Sequence, residues 1–156
     1  MSVKLKKQLQ VELEQLNLLL NRHPGLLEKC RTKTPTAVEV DAVAVLLHSF
    51  YTGVENIFKR VNVAMGDDQP GHEFWHIRLL NGMTRATPAR PVFISEELRA
   101  ALRGYLDFRH AFRHAYSFEL RWSKMAPLAL EVEGVLRRLE AEVGLFLQAI
   151  ESEQGQ

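Results

Sequence analysis

The spacing of leucines constrains this chain more than any other feature. Leu5, Leu9, Leu13, Leu16 and Leu20 recur at intervals of three and four residues with charged residues between them. That period puts one apolar stripe on a helix and cannot line one face of a strand. The first helix therefore runs from about Val3 to Asn21, and Arg22-His23-Pro24-Gly25 stops it. A second helix opens at Thr34 to Thr36, where Thr36 and Glu39 have the spacing of a capping box, and continues to about Met65. Its apolar residues from Val38 to Phe58 cover more than one face, so it is expected to touch neighbours on two sides. A short helix follows, from His72 to Asn81. Gly82 to Phe93, with Pro88 and Pro91, reads as an exposed irregular loop. The fourth helix opens at the N-cap Ser95, with Leu98, Leu102, Tyr105 and Phe112 on one face. The fifth begins near Ser123, holds Pro127 in its first turn and runs to about Glu151; the last few residues are expected to fray. No segment alternates as a strand does. The expected fold is all-α, an up-and-down bundle of about five helices in one domain spanning residues 1–156.

Composition narrows the classes of function. The 20 basic residues nearly balance the 19 acidic ones, so a nucleic-acid site would have to be a local patch. The single cysteine, Cys30, excludes an internal disulfide and any zinc site that needs two thiolates from one chain; it reads as a passive side chain near a helix end. The apolar stretch Ala42–Leu47 is far shorter than the roughly 18 residues of a membrane span. The N-terminal lysines lead into no apolar signal segment. A cytoplasmic location, no membrane association and no cofactor are expected.

The densest group of reactive side chains is Phe108-Arg109-His110-Ala111-Phe112-Arg113-His114-Ala115-Tyr116. Arg109 and Tyr116 lie two helical turns apart and share a face, as do His110 and His114. Arg109 and His114 are separated by about 140° on a regular helix. Either the helix loosens near His114, or two copies of the chain combine their residues at one site. From Arg103 to Lys124 the basic side chains are Arg103, Arg109, Arg113, Arg121 and Lys124, against Asp107 and Glu119. Tyr105, Phe108, Phe112, Phe118 and Trp122 are candidates for base stacking, or for core and dimer contacts.

Arg109, four residues, His114, one residue, Tyr116 resembles the R-x4-H-x-Y motif of HepT-like toxins, small helical ribonucleases of the HEPN superfamily. His110 fits the polar residue that the superfamily favours after the arginine. The resemblance implies a homodimer with two motif copies at a shared cleft and a metal-independent endoribonuclease. RNA supplies its own nucleophile, the 2′-hydroxyl. An imidazole can take that proton or give one to the leaving 5′-oxygen, and a guanidinium can hold the phosphate. His114 is thus expected as general acid/base and Arg109 as phosphate binder. His110 would orient a partner or contact RNA, and Arg113 and Tyr116 would support RNA binding. DNA lacks the 2′-hydroxyl and would not be cut. The resemblance also implies a nucleotidyltransferase antitoxin that could transfer AMP to Tyr116, adding negative charge where RNA phosphate must bind.

Other readings compete. The chain could be a non-catalytic helical module that binds a nucleotidyltransferase and presents its substrate. His110 and His114 have the i, i+4 spacing of a metal site but lack the glutamate between them and a local third ligand, so no metal site is expected. Glu55, on an otherwise apolar helix, could position Arg109 or satisfy a buried polar group. His72 and His76 are expected to share a face of the short helix, at the rim of the cleft at most. His48 is expected in the core or an interface, and His23 in solvent. Arg85 and Arg90 belong to the irregular loop, as a solvated connector or a contact for RNA or antitoxin.

Overall fold

The computed structural model describes residues 2–71 and 73–154, the side chains of Ser2 and Gln154 excepted. Six α-helices form it: α1 (Ser2–Leu20), α2 (Leu26–Thr32), α3 (Ala37–Met65), α4 (Trp75–Gly82), α5 (Glu96–Arg113) and α6 (Trp122–Gln154). A single 3-10 turn, Ser117–Glu119, joins α5 to α6. The described residues form no strand; Thr87 and Arg90 make an isolated bridge. The all-α bundle is as expected, but with six helices instead of five.

The additional helix is α2. Seven residues are too few to show a period, and Pro24-Gly25 reads as a stop. Gly25 instead turns the chain with a left-handed φ of 78° and starts α2. Leu26, Leu27 and Cys30 are then buried, against α6. Burial raises the Cys30 thiol above its ordinary pKa, with Glu39 adding to the shift and Lys29 opposing it.

The central helix is α3, which packs against α1, α4, α5 and α6. Its start is the capping box expected at Thr36 and Glu39: each side chain accepts the other's backbone N–H, at 3.2 and 3.0 Å. Gly66, at φ 74°, ends it, donating its N–H to Asn62 and Val63. Gly53 lets α1 approach closely, since a Cβ there would lie 2.5 Å from Cδ2 of Leu16. By length and composition α3 could cross a membrane, which the short stretch Ala42–Leu47 does not convey. Its place in the bundle accounts for that apolarity: Phe50, Tyr51, Val54, Ile57, Phe58 and Val61 are wholly buried.

Two other boundaries differ. α4 begins at Trp75 after Phe74, a non-glycine residue at φ 62°. His72, expected to share a face of this helix with His76, lies outside the described residues. α6 begins at Trp122, so Pro127 stands in its second turn, where it deprives the exposed Ser123 carbonyl of a helical partner. α6 continues through Ser152 and Glu153, expected to fray; Gly155 and Gln156 lie outside the described residues.

The loop between α4 and α5 is irregular, as its prolines demand, but Arg90 within it is 4% exposed. Its guanidinium meets Asp67 at 3.1 Å and donates to the carbonyls of Arg85, Pro91 and Gly82. Neither expected role for Arg90, solvated connector or RNA contact, survives: it is the loop's internal clamp. Arg85 is exposed. α5 opens as expected at Ser95, whose Oγ accepts from the Leu98 N–H at 3.1 Å and donates to Glu142 of α6 at 2.8 Å.

Candidate active site

α5 carries the motif out of the core. Leu98, Leu102, Tyr105 and Leu106 bury one face against α3 and α6, and Arg109 continues that face to its open end. Arg109 is therefore only 5% exposed. A buried guanidinium needs an anion. α3 supplies Glu55, 3% exposed, whose Oε1 accepts from Arg109 Nη2 at 2.8 Å. Thr52, one turn earlier, accepts a longer contact from Nη1 at 3.4 Å, and the Arg109 guanidinium lies 4.9 Å from the centre of the Tyr51 ring.

The other carboxylate oxygen of Glu55 lies 2.7 Å from Nδ1 of His76, on α4. Arg109 Nη2 lies 2.8 Å from the same nitrogen. α3, α4 and α5 thus meet at one carboxylate that holds a guanidinium on one oxygen and an imidazole on the other. The spacing of His48, Thr52 and Glu55 at i, i+4 and i+7 was the available signal: a polar stripe on an otherwise apolar helix. His48 reaches α5 from that stripe, with its ring 5.3 Å from Phe112. Burial holds it below the ordinary histidine pKa, and the charges of Arg109 and Arg113 push it further down.

An open groove of about 650 Å³ lies over this cluster. Arg109, His110 and Arg113 line it from α5, and Phe74, His76 and Ile77 from the opposite side. A groove of about 690 Å³ between α1 and α3 contains none of the motif residues. Among the described residues, no three histidine, cysteine, aspartate or glutamate side chains are grouped to hold a metal ion.

His114 does not line this groove but adjoins it, beside His110. α5 stops at Arg113, and His114 caps it with φ −115° and ψ 5°. Its N–H bonds to Ala111, and that of Ala115 to Phe112, so the last turn tightens to i, i−3 bonds. The regular-helix angle between Arg109 and His114 therefore ends at this residue. The His114 ring is exposed and meets His110 edge-on at 5.0 Å. Tyr116 is 70% exposed, and its ring stacks on Phe118 at 5.3 Å and 6°.

The basic segment divides into paired and free cations. Arg103 bonds to Asp107 at 2.9 Å and Arg109 to Glu55. Arg113, Arg121 and Lys124 are exposed and make no ion pair among the described residues. The aromatics also divide. Tyr105 is core and donates to the Leu128 carbonyl at 2.7 Å; Phe108, Phe112 and Trp122 are half-buried; Phe118 is 82% exposed. His23 is exposed, as expected, and His48 is partly buried.

Chemically, one protomer offers a desolvated guanidinium, three further cationic or imidazole groups (Arg103, His110 and Arg113) and a carboxylate-bound histidine around one groove, against the carboxylates of Glu73 and Asp107. Those groups suit binding of a phosphodiester and transfer of protons near it. Comparison with curated proteins and with solved structures finds no match. Comparison with protein families matches residues 42–150 to the HepT-like proteins. The matched span is more than half of the chain and includes Glu55, His76 and the whole segment from Arg109 to Tyr116, and the chain belongs to the HepT-like protein family.

Proposed function

We propose that this protein is the toxin of a HEPN/MNT toxin–antitoxin pair, acting in the cytoplasm as a metal-independent endoribonuclease. The observation that carries the reading is that a HepT-like chain places Arg109, His110 and Arg113 of its motif helix on one groove. Arg109 would hold the scissile phosphate and the charge that builds on it. His110 and Arg113 would hold flanking phosphates. His114 would move a proton as general acid or base. Because His114 is exposed beyond the helix end and does not line its own protomer's groove, the site is complete when a second copy supplies it. A homodimer with a shared cleft meets that need.

The partner in this reading is a minimal nucleotidyltransferase antitoxin. Tyr116 offers its ring to solvent beside the motif, a position open to a modifying enzyme. AMP attached there would bring negative charge to a surface built for RNA phosphate.

The test is cleavage of RNA in EDTA by wild type, His114→Ala and Arg109→Lys. Lysine keeps a cation opposite Glu55 but loses the planar fork. Each variant is expected to lose cleavage by at least about 100-fold. An equimolar mixture of the two variants should regain part of it, because one of the two sites in a mixed dimer then has both residues. Retained cleavage by both variants overturns the assignment.

One observation favours a second reading. Arg109 is buried and paired with Glu55, as a structural arginine would be. In that reading the chain is a helical module that binds a nucleotidyltransferase and presents its substrate. It would show no ribonuclease activity alone and would change its partner's activity.

A further inference from the structure

We infer that His76 is a second proton-transfer group of the ribonuclease site, held in place by Glu55; the inference rests on the ribonuclease reading above. Cleavage through the 2′-hydroxyl moves two protons, one off O2′ and one onto O5′. His114 can do one of these. The groove that holds Arg109 contains two imidazoles, His110 and His76; His76 is the one seated on a buried carboxylate, and its geometry is that of an oriented base.

The orientation follows from what Nδ1 touches. Nδ1 of His76 lies 2.7 Å from Oε2 of Glu55 and 2.8 Å from Nη2 of Arg109. A bare Nδ1 would accept from Arg109 but would set its lone pair against a carboxylate oxygen, whereas a protonated Nδ1 donates to that carboxylate and faces the Nη2 donor. The protonated form is assigned because it makes the shorter, charge-assisted bond, and Arg109 Nη2 keeps its own bond to Oε1 at 2.8 Å. Glu55 is buried and already fixed by Arg109, so it holds both the tautomer and the tilt of the ring. Nε2 then carries the free lone pair. It makes no hydrogen bond among the described residues, and the ring, 29% exposed, lines the groove beside Arg109. A buried carboxylate that orients a histidine whose other nitrogen faces substrate is a recurrent arrangement for a general base.

The turn that places His76 is also strained. Phe74, two residues before His76, is non-glycine at φ 62°, is 68% exposed and lines the same groove. That turn starts α4 at Trp75 and brings His76 over Glu55.

The step balances as follows. Nε2 of His76 takes the proton of the 2′-hydroxyl, and O2′ forms a bond to phosphorus. The P–O5′ bond breaks, and O5′ takes a proton from His114 of the second copy. The products are a 2′,3′-cyclic phosphate and a 5′-hydroxyl. Arg109 stays opposite the phosphoryl oxygens throughout.

His76→Asn separates this role from a structural one, because the asparagine amide can keep a donor near the position of Nδ1 while removing Nε2. Expected for His76→Asn are an unchanged unfolding midpoint, kcat at least about 100-fold lower, KM within about threefold, and partial rescue of the smaller His76→Ala by added imidazole. Nitrogen-15 spectra of histidine-labelled wild type should show the proton of neutral His76 on Nδ1. Cleavage by His76→Asn within about threefold of wild type, or a proton on Nε2 instead, overturns the role of His76 and leaves the ribonuclease reading standing. Absence of cleavage by wild type overturns both.

Discussion

Replacing Glu55 with alanine should be among the most destabilising single changes in this chain. The Glu55 and Arg109 side chains are 4% and 6% exposed, and the bond between them is 2.8 Å long. Removing the carboxylate leaves a guanidinium that cannot lose its proton, in a site with little water to solvate it. Breaking one side of such a pair costs about 3–5 kcal/mol. In a chain of this size each kcal/mol moves the melting temperature by about 2–4 °C, so a fall of about 6–20 °C is expected. A thermal melt followed by far-ultraviolet circular dichroism measures the fall, and equilibrium urea unfolding at the same protein concentration measures the loss of free energy. The midpoint should drop with an unchanged slope. Two controls sharpen the result. Glu96→Ala removes an exposed partner of Arg99 and should leave the midpoint where it was. Glu55→Met with Arg109→Met removes both charges and should cost less than either single change, because no unpaired ion is left behind. A Glu55→Ala protein within about 1 kcal/mol of wild type would refute the reasoning, since it would mean that water from the groove solvates Arg109 well enough to replace the carboxylate.

Three further outcomes follow from the structure. Arg90→Ala should destabilise by about 3–5 kcal/mol, because Asp67 and the loop carbonyls lose their shared donor, with RNA cleavage per folded molecule unchanged; urea unfolding and a cleavage assay check the two halves. His48 is held below its ordinary pKa of 6.5, first by burial and then by Arg109 and Arg113, so the unfolded chain takes the proton more readily. Stability should therefore be present above about pH 6.5 and be lost as the pH falls through the lower folded value, and His48→Phe should flatten that part of a stability–pH curve. Cys30 is 8% exposed and its thiol is raised by burial, so a thiol reagent should label it slowly in native protein and quickly in urea.

How much of this was legible in the sequence depended on the range of the interaction. The capping box at Thr36 and Glu39 and the N-cap at Ser95 are local, and they stand where the residues place them. The central role of α3 followed from apolar residues on more than one face. α2 was not legible, because seven residues carry too little periodicity and Gly25 both ends one turn and starts the next. Arg90 read as solvated because a proline-rich loop is usually exposed; its burial depends on Asp67, 23 residues away. The site shows the same division. Arg109, His110, Arg113, His114 and Tyr116 were visible as a dense segment. Glu55 was visible as an isolated charge on an apolar helix, and its pairing with Arg109 was one of two readings. That His76 would meet the same carboxylate was not visible, because it depends on the left-handed turn at Phe74.

The central claim, that a HepT-like chain with this groove cuts RNA through its own 2′-hydroxyl, has a direct measurement. Protein whose mass shows Tyr116 unmodified is incubated in EDTA with total RNA and with an all-deoxy oligonucleotide, and the ends of any fragments are identified. The account predicts fragments from RNA alone, ending in 2′,3′-cyclic phosphate and beginning with 5′-hydroxyl, and none with His114→Ala. Intact RNA, cleavage that needs added magnesium, or cleavage of the deoxy oligonucleotide would contradict it.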